Sequence, residues 1–324
     1  MTNYPITQLL PDFKCIRLHF KAEALEDIYF SSFMGSTIRG AFGVALKRSV
    51  CVTRQPDCSG CMLRYSCVYS YIFETPMPAD TKVMKKQSHV PHPFCLSDIS
   101  GLRKNSYKAG ETFAFTLTLV GKSIEFLPYC VYAMIRLSHA GIGKGRGKFK
   151  LLYIKEMAVD YQCRNDIYAD DVLHIPQQFL TVEIAEQLMQ QYTDKNRITL
   201  HFISPFRIKY RNKIWDQLEF HILFRSLIRR LANLAFFHCN RKVDIDFKSI
   251  IDKAISIQIS EQNLSWYDWG RYSTRQKEWM NFGGLVGEIT YEGDISAFIP
   301  FLILGSWVNI GKGTAFGLGN YRIH

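Results

Sequence analysis

The chain has 324 residues, and its 40 Lys and Arg residues outnumber its 29 Asp and Glu residues, which gives a formal net charge of +11. Hydrophobic residues form 47% of the chain and charged residues 21%, a composition that excludes a disordered or fibrous protein and allows a sizeable core. The length favours two domains, and the excess of positive charge favours a polyanionic partner.

The sequence pattern argues against export and against a membrane anchor. The N-terminal segment lacks the basic stretch and apolar run of a secretory signal, and the most apolar stretch, residues 295–310, is short and contains Pro300 and Gly305. Nine cysteines are an odd number, which favours metal binding or buried thiols over disulfides in such a chain. We therefore expect a soluble, cytoplasmic protein.

Three stretches of the first half have the pattern of regular secondary structure. Residues 36–47 predict a helix despite their glycines, and residues 112–120 predict a strand. From Phe126 onward (FLPY) the pattern predicts a helix that starts with proline, followed by a glycine turn at residues 142–145 (IGKG) and a strand.

Four cysteines follow the first of these helices at the spacing C-x6-C-x2-C-x5-C. Thiolates in such a pattern can hold a structural tetrahedral zinc ion in a loop that is too polar to fold by itself. An iron–sulfur cluster would use the same type of ligand, and reduced thiols without a metal are the other alternative. The spacing therefore predicts a structural zinc site with the ligands Cys51, Cys58, Cys61 and Cys67.

Basic residues recur at every second position in two segments, so that on an extended chain each set would lie on one face. No acidic residue occurs in residues 126–155, and such unneutralised stripes suit a phosphate backbone. A strand edge protected by lysines is the alternative interpretation. The two sets are Lys144, Arg146, Lys148 and Lys150, and Arg207, Lys209, Arg211 and Lys213.

The second half adds two further groups of arginines. After a predicted strand at residues 198–203, residues 215–238 predict a long amphipathic helix on which Arg225 and Arg229 are one turn apart. Residues 266–276 then interleave aromatic rings with Arg271 and Arg275, a pattern typical of single-stranded RNA binding. Solvation of the helix and packing of the rings into the core are the alternatives.

The chain contains an internal repeat. Residues 298–301 (FIPF) and 310–313 (IGKG) repeat the pattern that begins at Phe126, which indicates two related domains. A polar stretch between the copies places the predicted boundary between residues 175 and 176, so that the domains are 1–175 and 176–324. Alternating strands and helices in each half predict an α+β fold of ferredoxin-like type.

Glycine is concentrated near the C-terminus, most densely at residues 311–319. Glycines let the backbone approach a phosphate closely and offer its N–H groups, and the lysine in this segment adds a positive charge. A tight structural turn is the alternative. The candidate phosphate-binding residues are Gly311, Lys312, Gly313, Gly317 and Gly319.

Three C-terminal segments, 268–276 (DWGRYSTRQ), 282–294 (FGGLVGEITYEGD) and 304–323 (LGSWVNIGKGTAFGLGNYRI), carry a family resemblance. Together with residues 36–47 and the four cysteines, they make the chain similar to the CRISPR-associated endoribonucleases that process precursor CRISPR RNA, members of the RAMP superfamily, and to their branch with an N-terminal four-cysteine insert. The resemblance implies two tandem ferredoxin-like (RRM-like) domains with a small zinc-finger-like insert in the first.

The resemblance also implies a reaction that needs no metal. A 2′-hydroxyl of the repeat RNA attacks the adjacent phosphate and leaves a 2′,3′-cyclic phosphate and a 5′-hydroxyl, which requires proton transfer and stabilisation of negative charge. Many members place a histidine on the first helix, but residues 35–50 contain none. By position, the candidates for catalysis are Arg39 and Lys47, with Tyr29 as a proton-transfer partner.

The partners that follow from the resemblance are CRISPR repeat RNA, precursor crRNA and proteins of a CRISPR effector complex. Two alternatives remain: a non-catalytic RAMP subunit that binds crRNA, and a zinc-stabilised protein that binds single-stranded nucleic acid outside CRISPR systems. Only the endoribonuclease cuts the repeat RNA at one phosphate. The single-strand binder would show salt-dependent binding without preference for the repeat.

Overall fold

The computed structural model describes residues 6–30, 33–78, 90–98, 104–169, 171–192, 194, 196–210, 213–215, 217–239, 246–273 and 278–324. The helices within these ranges are α1 (Ile6–Leu9), α2 (Met34–Val50), α3 (Leu127–Ala140), α4 (Val182–Met189), α5 (Phe220–His238), α6 (Phe247–Ala254) and α7 (Ile299–Val308). A π-helix spans Ser70–Glu74, and short 3-10 helices span Gly121–Phe126, Ser296–Phe298 and Thr314–Phe316.

The strands of the first half are β1 (Lys14–Ala24), β2 (Ile28–Tyr29), β3 (Phe94–Asp98), β4 (Ser106–Tyr107), β5 (Thr112–Val120), β6 (Phe149–Met157), β7 (Cys163–Ala169), β8 (Val172–Leu173) and β9 (Leu180–Thr181). Those of the second half are β10 (Arg197–Phe206), β11 (Ile208–Tyr210), β12 (Lys213–Trp215), β13 (Gln258–Tyr267), β14 (Gly270–Ser273), β15 (Glu278–Asn281), β16 (Gly284–Glu292) and β17 (Tyr321–Ile323).

Both halves have the ferredoxin-like arrangement. In the first, β1, α2, β3, β5, α3 and β6 follow one another along the chain, and the sheet order is β3-β5-β1-β6 with β7 and β8 beyond β6. In the second, β10, α5, β13, β16, α7 and β17 follow one another, and the sheet order is β13-β16-β10-β17. Each is a β-α-β-β-α-β unit with antiparallel neighbours, which confirms the predicted α+β fold.

The most apolar stretch of the sequence forms a buried helix. Every residue of α7 is buried, and the helix packs against α4, α5, β5 and β17. A helix that is apolar on all sides is stable only where neighbours cover it on all sides. Within the described ranges, no helix is both long enough and apolar enough to cross a membrane.

Two arginines, one from each domain, donate to the last backbone carbonyls of α7. On β1, Arg17 donates to the carbonyl of Ser306 at 2.8 Å and lies 4.8 Å above the ring of Trp307. Arg230 of α5 donates to the carbonyls of Val308 and Asn309. Cations at a helix C-terminus satisfy its last carbonyls and its negative pole. Burial lowers the pKa of Arg230 to about 10, and this arginine has a structural role.

The predicted helices and strands are confirmed where the sequence had a clear pattern of apolar residues. Residues 36–47 lie in α2, residues 112–120 are β5, and residues 198–203 lie in β10. The long helix predicted from residue 215 begins later, at Phe220, after β12. The boundary between residues 175 and 176 stays a prediction, and α1 packs in the same core as α5 and α7.

One predicted stripe is wrong. The strand predicted to carry Lys144, Arg146 and Lys148 begins only at Phe149, so these three side chains do not line one face of a strand. Residues 142–148 form a turn instead, in which Arg146 has a φ of 56°. Glycines alternate with the basic residues in this segment, and they favour the turn over extended chain.

The internal repeat has a common structure in both domains. We call residues 141–147, between α3 and β6, the N-terminal glycine loop, and residues 311–319, between α7 and β17, the C-terminal glycine loop. An isoleucine N–H closes each loop: Ile142 donates to the carbonyl of Gly147 at 2.9 Å, and Ile310 donates to that of Gly319 at 3.0 Å. These equivalent positions confirm the predicted repeat.

Candidate nucleic-acid interface

The C-terminal glycine loop is wedged between the two domains. Ser204 of β10 donates to the carbonyl of Gly317 at 2.7 Å. From the first domain, Gly35 of α2 lies so close that an added Cβ would be 2.4 Å from the carbonyl oxygen of Phe316. A Cβ at Gly317 would lie 2.4 Å from the carbonyl oxygen of Leu96 on β3. Glycine at both positions therefore permits the contact between the domains.

Four basic residues lie close together at one end of this loop. We call them the cationic cluster: Arg207, Lys209, Arg229 and Lys312. The backbone N–H of Lys312 donates to the carbonyl of Arg207 at 2.8 Å. Burial and the charges of Arg229, Lys209 and Arg207 lower the pKa of Lys312. Among the described residues, no ion pair involves Lys209, Arg229 or Lys312. Such a concentration of positive charge attracts phosphate.

The four basic residues of the cationic cluster were predicted from the sequence to bind RNA as parts of separate groups, and that role stays a prediction. Lys209 and Lys312 are exposed and Arg207 is partly buried, while Arg225 and Arg229 are exposed on α5. Arg211 lies outside the described residues.

A groove along α2 adjoins the other end of the C-terminal glycine loop. It has a volume of about 300 Å³, and we call it the α2 groove. The Arg39 guanidinium lies 4.3 Å from the ring centroid of Phe316, a loop residue, and 5.4 Å from that of Phe73. Arginine stacks favourably on aromatic rings in this way. The residues that line the groove are Arg39, Gly40, Gly43, Val44, Lys47, Arg48, Tyr69, Phe73 and Glu74.

The other functional groups of the α2 groove are linked to one another. The Lys47 ammonium donates to the carbonyl of Pro56 at 2.8 Å and lies 5.3 Å from the ring centroid of Tyr69. The Tyr69 hydroxyl donates to a carboxylate oxygen of Glu74 at 3.4 Å. The groove thus holds two cations that can stabilise a charged phosphate and a hydroxyl–carboxylate pair that can move a proton.

Tyr29, the third catalytic candidate from the sequence, lies in a different place. Its hydroxyl donates to a carboxylate oxygen of Asp27 at 3.0 Å and accepts from the Lys108 ammonium at 3.1 Å. Its backbone pairs with Lys144 of the N-terminal glycine loop, and its side chain is 43% exposed. The structure therefore brings Arg39 and Lys47 into one groove, and Tyr29 is not among the residues that line it.

Two acidic residues, Glu26 and Asp27, lie beside the N-terminal glycine loop. Lys144, Arg146 and Lys148 are exposed, but a carboxylate oxygen of Glu26 accepts from the backbone N–H of Lys148 at 3.0 Å. Asp27 pairs with Lys108 at 2.7 Å, and hydrogen bonds from Lys108, the Ala109 N–H and Tyr29 lower the pKa of its carboxyl. This loop therefore has a mixed electrostatic environment.

The aromatic segment near residue 270 divides between core and surface. Trp269 is buried, stacks on Phe282 at 4.9 Å and packs against Phe33. Trp266 is 41% exposed and donates from its indole N–H to Asp268 at 2.8 Å. The side chain of Arg271 and the whole of Arg275 lie outside the described residues.

The four-cysteine segment does not have the geometry of a metal site. Cys51, Cys58, Cys61 and Cys67 all line one cavity of about 370 Å³. Yet across the described ranges, no group of three or more His, Cys, Asp or Glu residues is arranged to hold a metal ion. A tetrahedral zinc site requires its sulfurs about 2.3 Å from one point. The predicted zinc site and zinc-finger-like insert are therefore not supported.

A threonine hydroxyl occupies part of the space between these thiols. Oγ1 of Thr53 is 3.5 Å from Sγ of Cys61 and 3.8 Å from Sγ of Cys51. The hydrogen bond from Thr53 lowers the pKa of Cys61, whereas burial raises that of Cys58. The donors are of the right chemical type for zinc, but their arrangement does not fit it.

Sequence reasoning missed a histidine beside the α2 groove. Nε2 of His92 lies 3.2 Å from Nη2 of Arg39, and Nδ1 lies 3.3 Å from Oγ1 of Thr75. No motif marks His92, and 53 residues separate it from Arg39. Tyr69 and Glu74 of the groove were likewise not predicted from the sequence as site residues.

Comparison with known proteins agrees with this architecture. Residues 13–180 match the model of the AF_1859 N-terminal domain family. Residues 200–321, which include the C-terminal glycine loop, match the model described as CRISPR-associated endoribonuclease Cas6. An uncharacterized protein of Archaeoglobus fulgidus is 20% identical over 296 residues, which cover 90% of this chain and 91% of that protein.

Solved structures share the fold. A chain of the partial Cas6-RT-Cas1–Cas2 complex matches with a TM-score of 0.60 and 15% identity over 98% of this chain, which spans only 47% of that chain's length. Thermus thermophilus Cas6 matches with a TM-score of 0.56 and 11% identity over 96% of this chain and 99% of its own. A Cas6 product complex gives a TM-score of 0.59 and 12% identity, with the same coverage.

The matches extend over both domains. The Cas6 model covers the domain that carries the C-terminal glycine loop and all four residues of the cationic cluster. The Cas6 fold covers nearly all of the chain. The chain therefore belongs to the Cas6 family of CRISPR-associated endoribonucleases, within the RAMP superfamily.

Proposed function

We propose that this protein binds CRISPR repeat RNA along the C-terminal glycine loop and cuts precursor crRNA in the α2 groove. One observation carries the proposal: Arg39 of the groove lies on Phe316, and the same loop carries Lys312 in the cationic cluster. An RNA strand whose phosphates are bound at Lys312 can therefore reach Arg39 along this one loop. The cluster supplies affinity and register, and the groove supplies the chemistry.

The proposed reaction is the attack of a 2′-hydroxyl on the adjacent phosphate, without a metal ion. The attack forms a bond from O2′ to phosphorus and breaks the bond to the 5′-oxygen, which leaves a 2′,3′-cyclic phosphate and a 5′-hydroxyl. Negative charge develops on the phosphate oxygens, and the Arg39 guanidinium and the Lys47 ammonium are the groups that stabilise it.

The reaction also requires groups that transfer protons, and residues 35–50 of this chain contain no histidine for that role. In the α2 groove, the Glu74 carboxylate and the Tyr69 hydroxyl that donates to it are the pair of groups suited to this role. Tyr29 can act only if the RNA also passes the N-terminal glycine loop, where its hydroxyl contacts Asp27 and Lys108.

The first test is cleavage of the repeat RNA of the protein's own genome in excess EDTA. A matched RNA with a single 2′-deoxy substitution at the mapped cut serves as the control. We expect one cut with a cyclic phosphate end, and no cut in the deoxy RNA. Tight binding without a cut would instead identify a non-catalytic crRNA-binding subunit, and equal binding of unrelated single strands would identify a general single-strand binder.

A variant pair tests the assignment of the groove. Arg39→Ala should lower kcat by about 100-fold or more, the usual cost of removing one charge-stabilising donor. Arg136→Ala is the matched control, because Arg136 is an exposed arginine on the other helix of the same domain, α3. Equal activity of the two variants would move the active site away from the α2 groove.

A further inference from the structure

His92 connects Arg39 to the backbone of the first domain. The imidazole lies just before β3, between the Arg39 guanidinium at 3.2 Å and the Thr75 hydroxyl at 3.3 Å. The Thr75 hydroxyl in turn donates to the carbonyl of Val90 at 3.4 Å. These contacts join α2, the end of the π-helix and the segment that leads into β3.

The direction of each hydrogen bond follows from the chemistry of the groups. A guanidinium can only donate, so Nε2 of His92 must accept from Arg39. Nδ1 then carries the proton and donates to Oγ1 of Thr75. Burial, together with the charges of Arg39, Arg230 and His238, lowers the pKa of His92 to about 3, so the ring stays neutral and keeps its acceptor at physiological pH.

The anchor of this chain of hydrogen bonds is itself held in place. Thr75 is buried, has a φ of 42°, and donates from its backbone N–H to the carbonyl of Ser70 at 2.7 Å. It directly follows the π-helix that carries Phe73 and Glu74 of the α2 groove. Arg39 is therefore held between the rings of Phe73 and Phe316 and by the imidazole of His92.

We propose that His92 is a positioning residue of the endoribonuclease, which orients the Arg39 guanidinium toward the phosphate in the α2 groove. This inference rests on the proposed function, because it assigns Arg39 the role of stabilising the charged phosphate. It gives a histidine from outside the first helix an indirect part in catalysis, since a guanidinium that rotates freely would spend little time in the productive orientation.

The kinetic test compares His92→Ala with His92→Gln. The alanine variant should lower kcat by about 10- to 100-fold, with little change in the affinity for the non-cleavable 2′-deoxy RNA. The glutamine variant should recover part of the rate, because its amide oxygen can accept from Arg39 at the position of Nε2. His174→Ala, at an exposed histidine beyond β8, is the control and should behave as wild type.

A double variant shows whether His92 acts through Arg39. In the Arg39→Ala background, His92→Ala should cause no further loss of kcat. Independent, multiplicative losses would overturn the proposal, and so would a wild-type kcat in His92→Ala. If that variant does not fold, Thr75→Val removes the hydroxyl beside Nδ1 and leaves the imidazole with the backbone of Ile72 as a remaining hydrogen-bond partner. This variant should lower kcat in the same direction by a smaller factor, and an unchanged kcat would overturn the proposal.

A spectroscopic readout separates this proposal from the proposed function. Nitrogen-15 NMR of the guanidinium groups should show slow rotation about the Nε–Cζ bond of Arg39 in the wild type and fast rotation in His92→Ala. If the wild type does not cut the RNA, the proposed function fails, and the NMR comparison still shows whether His92 holds Arg39. Fast rotation in the wild type would refute the positioning role.

Discussion

The two glycine loops have the same place in their domains but different surroundings. Each connects the second helix of a ferredoxin-like unit to its last strand, and each is closed by an isoleucine N–H. Lys144 and Lys312 occupy equivalent positions in the repeated IGKG motif. Glu26 and Asp27 lie beside the N-terminal loop, however, whereas Lys312 is surrounded by further cations.

This difference separates the role of the glycines, which is to allow the backbone geometry, from the role of the positive charge, which is to bind RNA. The positive φ angles and the close backbone contacts are common to both loops, so they belong to the fold. The C-terminal loop alone of the two is part of the cationic cluster, and its Phe316 contacts Arg39 of the α2 groove. The comparison therefore predicts that both loops matter for stability and that the C-terminal loop dominates RNA binding.

The largest effect is expected where the loop geometry is broken. In Gly319→Ala, the new Cβ would lie 1.8 Å from the carbonyl oxygen of Ile310 at a φ of 70°, so we expect a loss of at least about 3 kcal/mol in the free energy of unfolding. Gly145→Ala is the control, because its φ is 88° but nothing lies within 4 Å, and it should cost only about 1–2 kcal/mol. Urea unfolding measures both, and equal losses would contradict the geometric argument.

Acid should destabilise the place where the end of α5 contacts the first domain. Burial lowers the pKa of His238 from 6.5 to about 4, so the folded state holds this ring neutral while the unfolded chain takes up a proton. The stabilisation is present above pH 6.5 and is lost as the pH falls toward about 4, at a cost of up to about 3 kcal/mol.

His238→Gln tests this origin of the pH dependence. The variant keeps hydrogen-bonding groups for its two partners, the Tyr71 hydroxyl and the carbonyl of Pro91. Urea unfolding at several pH values should show a shallower loss of stability between pH 6.5 and 4 in the variant. An identical slope in both proteins would mean that other groups cause the acid sensitivity.

Charge reversal should separate the two loops directly. Lys312→Glu is expected to weaken repeat RNA binding by about 10- to 100-fold and to flatten its dependence on salt, because it places a negative charge in the cationic cluster. The equivalent change Lys144→Glu should weaken binding by less than about threefold, since Glu26 and Asp27 already lie beside that loop. Fluorescence anisotropy over a salt series measures both, and equal effects would mean that RNA contacts both loops.

The smallest effect is expected at the four cysteines of the first domain. Because the described residues form no three-ligand group, the double change Cys58→Ser and Cys61→Ser should alter the free energy of unfolding by less than about 1 kcal/mol. Chelator should likewise leave the melting temperature unchanged. One zinc ion per chain in elemental analysis, lost in the double variant together with stability, would restore the zinc prediction.

Local signals in the sequence were sufficient for most of the fold. The helical and strand patterns of α2, β5, β10 and α5, and each copy of the repeated IGKG segment, can be recognised from residue type and spacing within a short stretch of chain. The stripe at Lys144 failed because spacing by two residues is compatible with a strand but does not require one. The intervening glycines were the signal that could have corrected it.

The sequence by itself determined the two related ferredoxin-like units, their glycine loops and the excess of positive charge, because each depends on residue type and spacing along a short stretch of chain. Only the tertiary structure decided that Lys312 joins Arg207, Lys209 and Arg229, and that Arg39 lies between Phe316 and His92. Contacts between side chains that lie far apart in sequence leave no local pattern, since they depend on how helices, strands and loops pack against one another, within a domain for the cationic cluster and across the domains for Arg39 and Phe316.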